Sequence, residues 1–107
     1  MAQKTSDKEN KSSTRELFRA ILSLKSLDEC DRFFADLCTP AELCALADRW
    51  RVAKLVDQSV PYREIYDKTG VSTATITRVA RSLTYGEGGY RRALDRIKPS
   101  GSIQKES

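Results

Sequence analysis

Between residues 72 and 81 the chain carries Ser72, Thr73, Thr75, Thr77, Arg78 and Arg81, with no carboxylate among them. Short hydroxyls beside arginine suit a surface that closes on phosphate oxygens and base edges, because both donate hydrogen bonds and neither repels a polyanion. Other chemistry is excluded more easily than it is found. The 107 residues contain no histidine, which removes histidine triads, histidine general bases and histidine metal ligands together. Cys30, Cys38 and Cys44 are odd in number and never spaced C-x-x-C. Neither a disulfide framework nor a cysteine zinc site is expected, and the three read as small buried hydrophobes. The acids stand mostly where they cap helices or pair with bases four residues on, so no nucleophile, base and orienting group assemble. The sequence predicts no enzyme, no metal site and no cofactor.

The charge is uneven. Lys and Arg number 19 against 15 Asp and Glu, a net charge of +4. Residues 61–98 hold eight bases (Arg63, Lys68, Arg78, Arg81, Arg91, Arg92, Arg96, Lys98) and four acids (Glu64, Asp67, Glu87, Asp95), an excess equal to that of the whole chain. Residues 26–39 run the other way, with four acids against Arg32 alone. A positive end of this kind is the electrostatic footprint of an anionic partner. The first eight residues lack the apolar run of a signal peptide. The longest apolar run, Leu43 to Ala47, is far short of the ~20 residues a membrane helix needs. No membrane partner is expected, and the reading is cytoplasmic, at the nucleoid.

The elements that must position the Thr/Arg face are helices. Apolar residues recur at helical spacing, as in Leu17, Phe18, Ile21, Leu22 and again Leu27, Cys30, Phe33, Phe34, Leu37, and no stretch alternates like a strand. Ser13-Thr14-Arg15-Glu16, Ser26-Leu27-Asp28-Glu29 and Thr39-Pro40-Ala41-Glu42 each place a hydroxyl three residues before a Glu, the spacing of a capping box. Pro40 strengthens the third, since a first helical residue needs no N–H. That helix is expected to run to about Gln58 and to be central and buried, because Leu43, Leu46, Trp50 and Ala53 face one way and Val52, Leu55 and Val56 another. Pro61 opens a short helix to about Lys68, Gly70 breaks it, and Ser72 caps the next, Thr73 to Ser82. A flexible hinge at Thr84–Gly89 precedes a last helix from about Tyr90 to Lys98. One all-α domain of six helices follows, over residues 13–98, with polar tails at 1–12 and 99–107 expected to be disordered. A chain this small, with few large apolar residues, buries little surface by itself. A homodimer is therefore expected.

Residues 61–82 have the layout of a helix-turn-helix. Ile65, Val71, Ile76 and Val79 are spaced to pack the two helices at a steep angle and Gly70 supplies the turn, so that the second helix can enter the major groove. Tyr66 departs from the pattern, which usually has a small residue there. The alternative is a helical protein-interaction module whose basic face binds an acidic partner. Gly86-Glu87-Gly88-Gly89 follows no strand and precedes no Gly-Lys-Ser/Thr, so it is no phosphate loop. Trp50 reads as core, and the last helix as packed rather than membrane-bound.

The runs Leu37-Cys38-Thr39-Pro40, Ala45-Leu46, Arg49-Trp50-Arg51-Val52, Arg63-Glu64-Ile65, Thr73-Ala74-Thr75-Ile76-Thr77-Arg78 and Ser82-Leu83 resemble the Trp repressor family over about residues 14–98. Leu83-Thr84-Tyr85-Gly86 and Gly89-Tyr90 are most similar to its YerC/YecD subgroup. The resemblance implies a six-helix, intertwined homodimer that regulates transcription, as a repressor, by binding double-stranded operator DNA through two copies of the reading helix. By position it implies that Arg63 reads a base, that Ser72, Thr73 and Ala74 lie nearest base edges, and that Tyr66, Thr75 and Thr77 contact phosphates; Arg81 extends the same face. For the family's effector pocket, Arg49 and Arg78 match the arginines that hold the amino-acid corepressor, and Thr39 and Ser82 match other lining positions. Val79 stands where the tryptophan-sensing repressor has glycine, and its branched side chain takes room a flat indole needs. The expectation is a protein that needs no effector and does not respond to tryptophan, with another small effector left open.

Overall fold

The computed structural model describes residues 7–97, with six helices and no strand among them: α1 (Asp7–Leu22), α2 (Leu27–Leu37), α3 (Pro40–Asp57), α4 (Tyr62–Thr69), α5 (Thr73–Tyr85) and α6 (Gly89–Ile97). The all-α, six-helix expectation is met. The tail expected at 99–107 and the first six residues lie outside the described residues. The chain divides within α3 into two compact units, Met1–Leu43 and Cys44–Ser107.

In the first unit α1 starts at Asp7, ahead of the cap expected at Ser13, so residues 7–12, expected to be disordered, are helical. Nothing in Lys8-Glu9-Asn10-Lys11 breaks a helix. Thr14 does not act as a cap residue; its hydroxyl donates back to the Asn10 carbonyl at 2.8 Å. The other two caps form. Ser26 Oγ accepts from the Glu29 N–H at 3.1 Å, although the Glu29 carboxylate reaches one residue further back, to the Lys25 N–H at 2.8 Å. At α3 the box closes in both directions: Thr39 N–H donates to Glu42 Oε1 at 2.8 Å, and Glu42 N–H to Thr39 Oγ1 at 3.1 Å. Phe33 and Phe34 meet edge to face, with centroids 5.4 Å apart. Leu17, Ile21, Leu24, Phe33 and Phe34 are half-buried, and no side chain described between residues 8 and 43 is buried.

The second unit contains the core. Val52, Ala53, Ile65, Val71, Ile76 and Val79 form one cluster, flanked by the partly buried Leu55, Val56, Val60 and Tyr90. The buried character expected of α3 holds only for its second half. Leu43 and Leu46 are exposed, and so is Cys44, while Cys30 and Cys38 are half-buried. None of the three is the buried hydrophobe expected from composition. The end of α3 is a Schellman turn without glycine: Val60 N–H donates to Leu55 O at 3.1 Å and Ser59 N–H to Val56 O at 2.9 Å. Ser59 accordingly takes φ 62°, a left-handed conformation that favours glycine.

Candidate nucleic-acid interface

The reading face is built outward from the cluster beneath it. Pro61 lies just outside α4 as its N-cap rather than as its first helical residue, and its carbonyl accepts the Ile65 N–H at 3.0 Å. This places Ile65 on the inner side, with no exposure to solvent. Five residues on, Gly70 takes φ 74° and donates its N–H to the Tyr66 carbonyl at 2.8 Å, the left-handed stop that the sequence pointed to. Thr69 was not singled out, yet its hydroxyl donates to Ile65 O at 2.7 Å and accepts from the Val71 N–H at 3.0 Å. One side chain thus ties the end of α4 to the turn. A β-hydroxyl directly before a glycine stop was the only available signal. Arg51 of α3 donates to the Lys68 carbonyl at 3.2 Å, placing a cation at the negative end of α4.

Ser72 caps α5, accepting from the Thr75 N–H at 3.2 Å and donating to the Thr75 hydroxyl at 3.1 Å. With the cap fixed, Ile76, Val79 and Ala80 turn inward, and Ser72, Thr73, Ala74, Thr77, Arg78 and Arg81 are left exposed, with Thr75 half-buried. All but Ala74, which entered through the family resemblance, are residues that the sequence reading placed on the outer face. On α4, Arg63 and Tyr66 are exposed as well. Tyr66 is compatible with the turn because it points outward, 51% exposed, instead of between the helices.

α5 does not stop at Ser82 as expected. No breaker occurs before Gly86, so it continues to Tyr85, and the Arg81 guanidinium lies over the Tyr85 ring, 5.6 Å from its centre. A Cβ at Gly86 would run into the Ser82 carbonyl, so this glycine is a steric requirement of the helix end and not only a hinge. An open groove of about 410 Å³ follows the outer flank of α5, lined by Ala74, Thr77, Arg78, Arg81, Tyr85 and their neighbours.

Of the residues expected to form an effector pocket, Arg49, Arg78, Val79 and Ser82 line one cavity of about 200 Å³ together with Tyr90. Thr39 is not among its lining residues, and its hydroxyl is engaged in the α3 cap. Tyr90 was not anticipated there. It arrives because α6 starts at Gly89 and its ring stacks on Trp50, centroids 6.4 Å apart, while Arg91 bridges Asp57 of α3 and, at 3.1 Å, Asp95. Val79 is 3% exposed, so its methyls form a wall of the cavity. Among the described residues no group of three metal-ligating side chains could hold an ion, and no helix is long and apolar enough to cross a membrane.

Comparison with known proteins places this geometry. The family described as Trp repressor protein matches residues 12–98. The chain is 53% identical over 83 residues to the uncharacterised protein YerC of Bacillus subtilis, covering 78% of this chain and 80% of that one. A TrpR-like protein from Eubacterium eligens superimposes with a TM-score of 0.81 at 46% identity, over 94% of this chain and all of that one. A candidate Trp repressor from Staphylococcus aureus gives 0.78 at 43% identity, over 87% and 95%.

Proposed function

The chain belongs to the Trp repressor family, in the YerC-like subgroup, and from that membership we propose that it is a sequence-specific repressor gripping operator DNA as a homodimer. Members of this family are DNA-binding transcription regulators and not enzymes. The observation that carries the finer reading is the α4–α5 unit, whose two helices are locked by Gly70, Thr69 and Ser72 and whose second helix, α5, presents an outer face of hydroxyls and arginines without a carboxylate, while the exposed acids Glu64 and Asp67 stand on α4. The docking mode, with α5 in the major groove, comes with the family and not from these residues alone. In it Arg63 is the base reader, Ser72, Thr73 and Ala74 approach base edges, and Tyr66, Thr75, Thr77 and Arg81 hold the backbone. The uncovered apolar side chains of α1 and α2 support a second copy as the partner, and DNA as the target implies a location at the nucleoid.

Tryptophan is not the effector in this reading. Arg49 and Arg78 could attract a carboxylate, but an indole between them meets the methyls of Val79, and overpacking of that kind costs about 1 to 3 kcal/mol. Calorimetry with millimolar L-tryptophan is expected to give no saturable heat, and Val79→Gly is expected to recover some; saturable heat with the unaltered protein, together with tighter DNA binding, refutes this. The test of the function itself is anisotropy of labelled duplex DNA across a salt series. Binding that weakens steeply with salt supports it. Absence of duplex binding at low salt, with an acidic protein bound instead, overturns it.

A further inference from the structure

Tyr85 ends α5 with a large aromatic ring that the core does not use. It is 77% exposed, and it is on the helix only because α5 runs past Ser82 to reach it. What the ring does touch is a cation: the Arg81 guanidinium lies 5.6 Å from its centre, from one turn earlier on the same face. The ion pairs of this unit join Glu64 with Lys68, and Arg91 with Asp57 and Asp95. Among the described residues no carboxylate pairs with Arg81. A carboxylate would neutralise the guanidinium, whereas the face of a ring holds it and leaves its charge to attract an anion.

The open groove along α5 shows where that charge stands. Ala74, Thr77, Arg78, Arg81 and Tyr85 line it, following one another at the spacing of a single helix face, and no acid among the described residues lines it. Glu87, the next acid along the chain, lies past the Gly86 stop, on a neighbouring pocket with Gly89 and Tyr90. Arg81 stands about 10 Å along the axis from Ala74 at 1.5 Å per residue, and the major groove is about 8.5 Å deep. With Ala74 at the base edges, Arg81 is level with the phosphates at the rim, and Tyr85, about 6 Å further on, stands outside it.

We propose that Tyr85 is a positioning residue for DNA binding, whose ring holds the Arg81 guanidinium ready for a backbone phosphate at the rim of the major groove. The inference rests on the DNA-binding reading above and adds to it a residue that has no role there. An arginine gives up rotamer freedom when it fixes on a phosphate, and a guanidinium already laid on a ring has given up part of it before DNA arrives. Because phosphates are the same in every sequence, the brace raises affinity for all duplexes alike.

The test measures binding of the full-length protein to a preferred duplex and to a random one, between about 50 and 200 mM salt. Tyr85→Leu removes the ring and keeps a good helix former. It is expected to weaken binding to both duplexes by about two- to tenfold for each copy of α5 bound, while Tyr85→Phe, which keeps the ring, binds as the unaltered protein does. Arg81→Gln is expected to weaken both and to lower the slope of log affinity against log salt by roughly 1 unit for each copy. Adding Tyr85→Leu to Arg81→Gln is expected to cost nothing further, since the two side chains act as one unit. Helicity by circular dichroism and assembly by light scattering stay unchanged throughout. Full affinity in a well-folded Tyr85→Leu variant overturns the proposal. So does a loss that persists beside Arg81→Gln, which gives Tyr85 a contact of its own, and so does a Tyr85→Phe variant as weak as Tyr85→Leu, which makes the hydroxyl the active group. If the unaltered protein binds no duplex at any salt, the DNA-binding reading itself fails and takes this proposal with it.

Discussion

Val52, Ile65 and Ile76 are wholly shut off from solvent, while Leu22 and Leu27, of similar size and also on helices, are 83% and 86% exposed. The sequence marks both sets in the same way, by apolar residues at helical spacing. In the unit that begins at Cys44 the chain covers its own stripe with α4, α5 and the second half of α3. In the unit that ends at Leu43 it does not. Periodicity states that a face must be covered and leaves open what covers it. With the homodimer proposed above, the difference divides the protein into a part that covers its apolar residues with its own contacts and a part whose apolar face is left for a second copy.

The sharpest way to break that division is to remove a side chain from each part. Ile76→Ala is expected to cost about 2 to 5 kcal/mol, seen as a lower urea midpoint with unchanged slope and no dependence on protein concentration beyond that of the unaltered protein. Leu22→Ala removes a side chain that touches little within one chain. Its expected cost is about 3 kcal/mol per dimer, from two lost burials, and it appears as dissociation on dilution in light scattering. If Leu22→Ala leaves a stable dimer, the two parts do not differ in the way described.

A smaller effect sharpens the division within the reading unit. Arg63→Ala is expected to lose about 1 to 3 kcal/mol on the best site and little on random DNA, whereas Thr77→Ala, at a proposed backbone contact, is expected to weaken both by a similar factor. Equal losses from Arg63→Ala on both duplexes remove its role as reader. The smallest effect is a gain. Ser59→Gly relieves a left-handed non-glycine residue and is expected to stabilise by about 1 kcal/mol, read as a raised thermal midpoint. A lowered midpoint means that the serine side chain has a role the turn does not reveal.

What could be read from the residues follows from how local each signal is. The Thr39 box, the Gly70 stop and the Ser72 cap depend on atoms three or four residues apart, and each formed where the spacing put it. The core residues Ile65, Val71, Ile76 and Val79 were legible because one turn fixes their relation. The start of α1 was not, since a polar segment without a breaker is equally compatible with helix and tail. Ser59 escaped because nothing in a serine announces a left-handed turn. Tyr90 escaped too, because its place beside Arg49 and Arg78 depends on how α6 packs against α3. The pocket role of Arg49 and Arg78 was marked only through their likeness to a family, and the cavity that joins them to Val79 and Ser82 is a tertiary feature.

The central claim, that α4 and α5 read DNA as a symmetric pair, is tested most directly by selecting bound sequences from a random pool of duplexes with the full-length protein. The account predicts enrichment of an inverted repeat, with one position in each half-site losing its preference when Arg63 is replaced by Ala and none losing it when Thr77 is. A pool that shows no enrichment, or a preferred sequence without two-fold symmetry that Arg63→Ala leaves intact, contradicts it.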